Sequence, residues 1–202
     1  MKLVFASNNA HKLAEVRQIM PTGVEVLSLN DIGFDQEIEE TGTTLEQNSA
    51  IKAETVYQWL NDQMVNGQMV NGQMVNISGV FADDTGLEID ALDGKPGVYT
   101  ARWAGEPAAN RKKALAELAD KENRGAQFRT VITFIKVSGE QLAVSGIVRG
   151  KIATEEYGEG GFGYDPIFIP EGYDKTFGEL PAELKNTISH RARALHALVK
   201  IL

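Results

Sequence analysis

The 202-residue sequence is 43% hydrophobic and 24% charged, which supplies an independent core and excludes a disordered or fibrous chain. Its net charge of −8 excludes the broad basic surface that a nucleic acid polymer needs, but a small anion held by a local cluster of cations remains open. Without cysteine, and with only 3 scattered histidines, sulfur-bound zinc and thiolate chemistry are excluded and any metal is expected on oxygen; no signal-like or membrane-spanning stretch is visible, so a cytoplasmic protein with no membrane partner is expected.

Residues 2–6 read as a buried strand, ended by Ser7-Asn8-Asn9 and followed by a helix with Leu13, Val16 and Met20 inward. A strand that feeds a helix start presents free N–H groups and the positive end of a dipole. Ser7, Asn8, Asn9, Ala10 and His11 therefore form a candidate phosphate cradle, to which Lys12 adds a full charge. The glycines and Gly-Lys-Ser/Thr ending of a Walker A loop are missing, and the plainer reading is an Asn8 or Asn9 N-cap with Lys12 in solvent.

A second strand over 24–29 leads to an acidic loop containing Glu39, Glu40 and Gly42. A helix is expected from Thr43, with Thr43 and Glu46 at capping-box spacing and Ala53, Val56, Tyr57 and Leu60 on its inner face. It runs into a tandem Gln-Met-Val-Asn-Gly pentapeptide. The period is too short for a solenoid, and residues 61–76 read as a dispensable insertion within one domain of 1–202.

Strands are expected over 77–82 and 87–91, separated by a turn at Asp83-Asp84-Thr85-Gly86. Neighbouring strand residues point to opposite faces, so only one aspartate need face a given site, and with Glu40 it could hold Mg²⁺, which takes few carboxylates plus phosphate and water. A plain turn with solvated acids is the alternative. A helix over 108–119, an antiparallel pair over 127–137 and 142–152, a short strand over 166–169 and a C-terminal helix complete the chain. Strands and helices mix without strict alternation, which predicts an α/β protein with a mixed sheet.

Two more segments carry chemistry. In Gly160 to Pro166, glycines permit close approach, Phe162 or Tyr164 could stack on a flat ring, and Asp165 could accept from a base edge; a tight turn with core aromatics is the plainer reading. In Lys185 to Arg191, cations at the expected start of the last helix oppose its dipole, which an anionic partner would compensate.

In combination, Ser7-x-Asn9-x-x-Lys12, Glu39-Glu40-Thr41-Gly42, Ala82-Asp83-Asp84-Thr85-Gly86-Leu87, Phe162-Gly163-Tyr164-Asp165-Pro166 and Ser189-His190-Arg191 resemble the ITPase family, also called XTP/dITP diphosphatases, in order along the chain. The insertion and Thr154, where many relatives carry proline, depart from the pattern. The resemblance implies an elongated mixed central sheet with two α/β lobes flanking a deep active-site cleft, and a homodimer. It implies hydrolysis of ITP, dITP and XTP to the monophosphate and pyrophosphate. It further implies triphosphate binding by Ser7 to Lys12, metal binding by Glu40 and Asp84, and Asp84 as the metal ligand or proton acceptor. Thr85, Phe162, Gly163, Tyr164, Asp165, Lys185, His190 and Arg191 would contact the nucleotide. The expected mechanism has Mg²⁺ on Glu40 and Asp84, leaving-group stabilisation by Lys12 and Lys185, and water oriented by Asp84.

Overall fold

A computed structural model describes residues 1–65 and 76–202. Most of the pentapeptide repeat, 66–75, lies outside the described residues, as does its expected role as an insertion. The strands are β1 (Lys2–Phe5), β2 (Glu25–Leu27), β3 (Gly79–Ile89), β4 (Pro96–Gly97), β5 (Gly125–Lys136), β6 (Gln141–Ile152) and β7 (Phe168–Pro170). The helices are α1 (Ala10–Ile19), α2 (Leu45–Val65), α3 (Pro107–Glu117), α4 (Ala182–Ile188) and α5 (His190–Val199). The sheet runs β2-β1-β3-β5-β6-β7, with β4 paired to β3. It is mixed: β1 is parallel to β2 and β3, whereas β3–β4 and β6–β7 are antiparallel. No helix among the described residues is long and apolar enough to cross a membrane.

The chain forms two compact units. One comprises Met1–Asp84, Val131–Ser145 and Ala194–Leu202; the other comprises Thr85–Thr130 and Gly146–Arg193. In the first, strand alternation serves two cores. Val4, Ala6, Val80 and Ala82 pack with Ala53, Val56 and Leu60 of α2. Leu3, Phe5 and Phe81 pack with Val16 and Met20 of α1 and with Ala194, Leu195 and Leu198 of α5. A strand covered on both faces reads as an unbroken apolar run, which is why Leu3 to Ala6 shows no alternation. The second unit has its own core, in which Leu87, Ile89, Ala114, Leu118, Phe128, Ile152, Tyr164, Phe168 and Phe177 meet.

Four local expectations are corrected. The Asp83 to Gly86 segment is no turn but the middle of the unbroken strand β3. Helix α2 begins at Leu45, two residues late: Oγ1 of Thr44 accepts from the Gln47 N–H at 3.2 Å, and Gln47 Oε1 accepts from the Thr43 N–H at 2.7 Å, so the reciprocal cap uses Thr44 and Gln47. The C-terminal helix is two helices, because Ser189 is extended (φ −66, ψ 161). The stretch expected as a strand over 166–169 opens with a 3₁₀ turn, Asp165–Ile167, before β7.

Candidate active site

In the first unit, β3 puts its two aspartates on different lysines. Asp83 shares the parity of Phe81, on the α1 side, and its Oδ1 lies 2.8 Å from Lys12 Nζ. Asp84 shares the parity of Ala82, on the α2 side, and its Oδ1 lies 3.2 Å from Lys52 Nζ. Lys52 also reaches Glu40 Oε1 at 2.7 Å, and its side chain is only 9% exposed. Among the described residues, three carboxylates thus share these two ammonium groups.

Burial lifts the Asp84 carboxyl above its ordinary range; Lys52 and Lys12 oppose this, Glu40 and Asp83 add to it, and the net is upward. Burial alone would lower the Lys52 ammonium, but Asp84, Asp83 and Glu40 outweigh it and hold it above the usual lysine value. Among the described residues nothing hydrogen-bonds to Oδ2 of Asp84, although the atom is buried. No three His, Cys, Asp or Glu side chains among them form a group able to hold a metal. Two carboxylates, one with a buried oxygen left over, fit a hard divalent ion that takes its other ligands from phosphate and water.

Glu40 is placed by the first turn of α2. Asn48, fully buried, accepts from the Gly42 N–H at 2.8 Å. A Cβ on Gly42 would sit 2.5 Å from that acceptor oxygen, so only glycine lets the loop close here. The expected phosphate cradle starts α1: Asn9 is the N-cap, its Oδ1 accepting from the Lys12 N–H at 3.1 Å, while Ser7 Oγ accepts from the Asn9 N–H at 3.2 Å. Asn8, Asn9, Ala10 and His11 are exposed.

In the second unit a different chemistry gathers around Phe162. Lys185 Nζ lies 4.9 Å and the Arg191 guanidinium 5.6 Å from the ring centroid, so two cations meet one aromatic ring. Lys185 also bonds Asp165 Oδ2 at 2.6 Å, and the same oxygen accepts from the Phe162 N–H at 2.8 Å. Gly161 (φ +71) is obligatory, since a Cβ there would collide with the Asp165 carboxylate. Arg191 donates to Thr85 Oγ1 at 3.3 Å, which pairs with Thr130 at 2.8 Å, and His190 stacks on Phe128 at 4.5 Å. From α3, Arg111 donates to the Gly163 carbonyl at 2.9 Å and pairs with Glu156 at 3.0 Å, pinning the loop.

The expected residues therefore fall into two groups. Ser7 to Lys12, Glu40 and Asp84 belong to the first unit; Thr85, Phe162 to Asp165, Lys185, His190 and Arg191 belong to the second. Two expectations change. Tyr164 offers no stacking face, because its ring is core and its hydroxyl donates to the Thr100 carbonyl at 3.0 Å. Lys185 lies in the last turn of α4, where a cation suits the dipole, so the argument from an unfavourable helix start survives only for His190 and Arg191 on α5. The lysine beside the carboxylates is Lys52, which the sequence reading missed. Its signal was a polar run, Asn48, Ser49 and Lys52, on the spacing of the buried stripe that continues through Val56 and Leu60.

The Ham1 family model matches residues 3–201. A dITP/XTP pyrophosphatase of Flavobacterium johnsoniae is 46% identical over all of this chain and 98% of its own length. One from Bacillus subtilis is 46% identical over 98% of this chain and 96% of its own. Among solved structures, a Staphylococcus aureus Ham1 protein superposes with a TM-score of 0.82 at 39% identity, over all of this chain and 97% of that one. A HAM1 protein from Coxiella burnetii superposes at 0.83 and 33%, over all of this chain and 98% of that one. With both clusters of side chains in place and the match running nearly end to end, the chain belongs to the Ham1 family.

Proposed function

We propose that this chain is a nucleoside triphosphate pyrophosphohydrolase that converts ITP, dITP and XTP to the monophosphate and pyrophosphate. The curated relatives carry the name dITP/XTP pyrophosphatase. The observation that carries the reading is the carboxylate pair of half-buried Glu40 and buried Asp84, with Asp84 Oδ2 left over, beside Lys52 and Lys12. Breaking the anhydride between the α and β phosphates needs charge neutralisation and a positioned water rather than a protein nucleophile.

Lys12, the α1 N–H groups and Lys52 neutralise the triphosphate. Asp84, with its proton affinity raised, takes a proton from water as the water oxygen bonds to the α phosphorus; the bond to the bridging oxygen breaks and pyrophosphate departs. Glu40 and Asp84 would hold Mg²⁺, which supplies Lewis-acid stabilisation of charge on the phosphate oxygens. Phe162 stacks on the purine, while Lys185, His190 and Arg191 face it with donors that suit the 6-keto group and oppose the 6-amino group of adenine. Each mispaired buried group costs about 1–3 kcal/mol. The family resemblance supports two further proposals, a homodimer and a cytoplasmic location.

The test is pyrophosphate release from ITP, XTP, dITP, ATP and GTP, with and without Mg²⁺. Higher kcat/KM for ITP and XTP, dependent on the metal, is expected; equal values across the panel refute the base reading, and preference for a modified pyrimidine triphosphate points to another nucleotide-cleansing activity.

A further inference from the structure

The site proposed for a divalent ion already contains a cation of the chain's own. Lys52 Nζ lies 2.7 Å from Glu40 and 3.2 Å from Asp84, so one ammonium spans both carboxylates. The lysine rises from the inner face of α2 and is buried, and the neighbouring positive charge, Lys12, is engaged with Asp83. An ion that approached Glu40 and Asp84 with Lys52 in place would meet a like charge a few ångströms away, inside a poorly hydrated site where such repulsion is strong. Buried ammonium groups also do not leave a carboxylate for nothing; another anion must receive them. A triphosphate is such an anion.

Resting on the functional reading above, we propose that Lys52 is an internal counter-cation that closes the Glu40 and Asp84 pair to free divalent ions and transfers to the triphosphate when nucleotide arrives. Metal and nucleotide binding are then positively coupled. By linkage the same factor acts in both directions: nucleotide raises metal affinity as much as metal raises nucleotide affinity. Oδ2 of Asp84 is buried without a hydrogen-bond partner among the described residues, and Oδ1 and Glu40 Oε1 are the oxygens that the exchange releases.

Two measurements decide it. In the first, Mn²⁺ is titrated by electron paramagnetic resonance into the full chain as wild type, K52Q and K52M, with and without an ITP analogue carrying a methylene between the α and β phosphorus atoms. Wild-type affinity is expected to rise at least tenfold with the analogue beyond its affinity for Mn²⁺ in buffer. Nucleotide-free K52Q is expected to bind Mn²⁺ at least tenfold more tightly than nucleotide-free wild type, a difference of about 1.4 kcal/mol. Equal Mn²⁺ affinity of the two nucleotide-free proteins overturns the proposal. In the second, which needs no folded variant, the assigned Lys52 side-chain resonance is followed in wild type. It should move on adding the analogue in the presence of a chelator and stay in place on adding Mg²⁺ alone; displacement by Mg²⁺ alone overturns the exchange. Pyrophosphate release by the same wild-type preparation separates the two readings. Coupling without release sinks the activity and keeps the exchange, and release without coupling does the reverse.

Discussion

Replacing Lys185 by methionine measures what its ammonium contributes to a buried carboxylate. The Lys185 and Asp165 side chains are 5% and 4% exposed and 2.6 Å apart, so removing the ammonium leaves a carboxylate in a nearly dry site. Breaking such a pair from one side costs about 3–5 kcal/mol. Asp165 keeps the Phe162 N–H, which places the loss near the lower end, at about 3 kcal/mol. For a chain of this length, about 2–4 °C of melting temperature is lost per kcal/mol, so K185M should melt roughly 6–12 °C below wild type. Adding D165N removes the stranded charge while the amide oxygen it introduces still accepts from the Phe162 N–H, and the double variant should regain at least half the loss. Thermal and urea unfolding of the nucleotide-free protein at neutral pH measure all three. A single variant within about 1 kcal/mol of wild type by the same yardstick, or a double variant no better than the single, would refute the claim that the pair is desolvated.

Asp84→Asn should lower kcat at saturating Mg²⁺ by about 10²–10⁴-fold, the range for loss of a proton acceptor. Its melting temperature at neutral pH should nonetheless not fall, since burial makes the carboxylate a liability. The sign follows from linkage: an acid raised above its ordinary range binds its proton more tightly when folded, so stability declines as pH rises through the folded value. The amide escapes that decline, and its advantage over wild type should vanish in acid; a clear loss of stability at neutral pH counts against the assignment. Arg111→Met frees the Gly163 carbonyl and should raise KM for ITP about tenfold, or ~1.4 kcal/mol, with kcat within about twofold. Steady-state kinetics on ITP decide this, and an equal fall in kcat would show that the loop serves chemistry rather than base binding.

Local pattern made much of this legible. The apolar run at Leu3 to Ala6, the inner stripe of α2 and the long hairpin of β5 and β6 were readable because burial imposes periodicities on sequence. Asp83 to Gly86 was misread as a turn because acids and glycine favour turns, while the lysines that neutralise these acids in the sheet stand 71 and 32 residues away. Lys52 was hidden for a related reason: a charged residue on a helix is ordinarily solvated, and only the partners supplied by other elements reveal that it is not. The split at Ser189 depended on backbone geometry that no residue preference announces. Phe162 and Asp165 were readable as candidate residue types, but which of the two aromatics joins the core was settled by packing, which took Tyr164.

The unbroken strand β3 is also a ruler. Asp83, Asp84 and Thr85 follow one another without slack, Asp83 reaching toward α1, Asp84 toward α2, and Thr85 opening the second unit. Adding one residue before them in the strand would turn both aspartates to the opposite face, bringing Asp83 to the position that meets Lys52 and carrying Asp84 past the one that meets Lys12. Single substitutions here change one contact, but a change of length rewrites them all. Between Gly79 and Thr85 the count of residues is therefore as much a part of the chemistry as their identity.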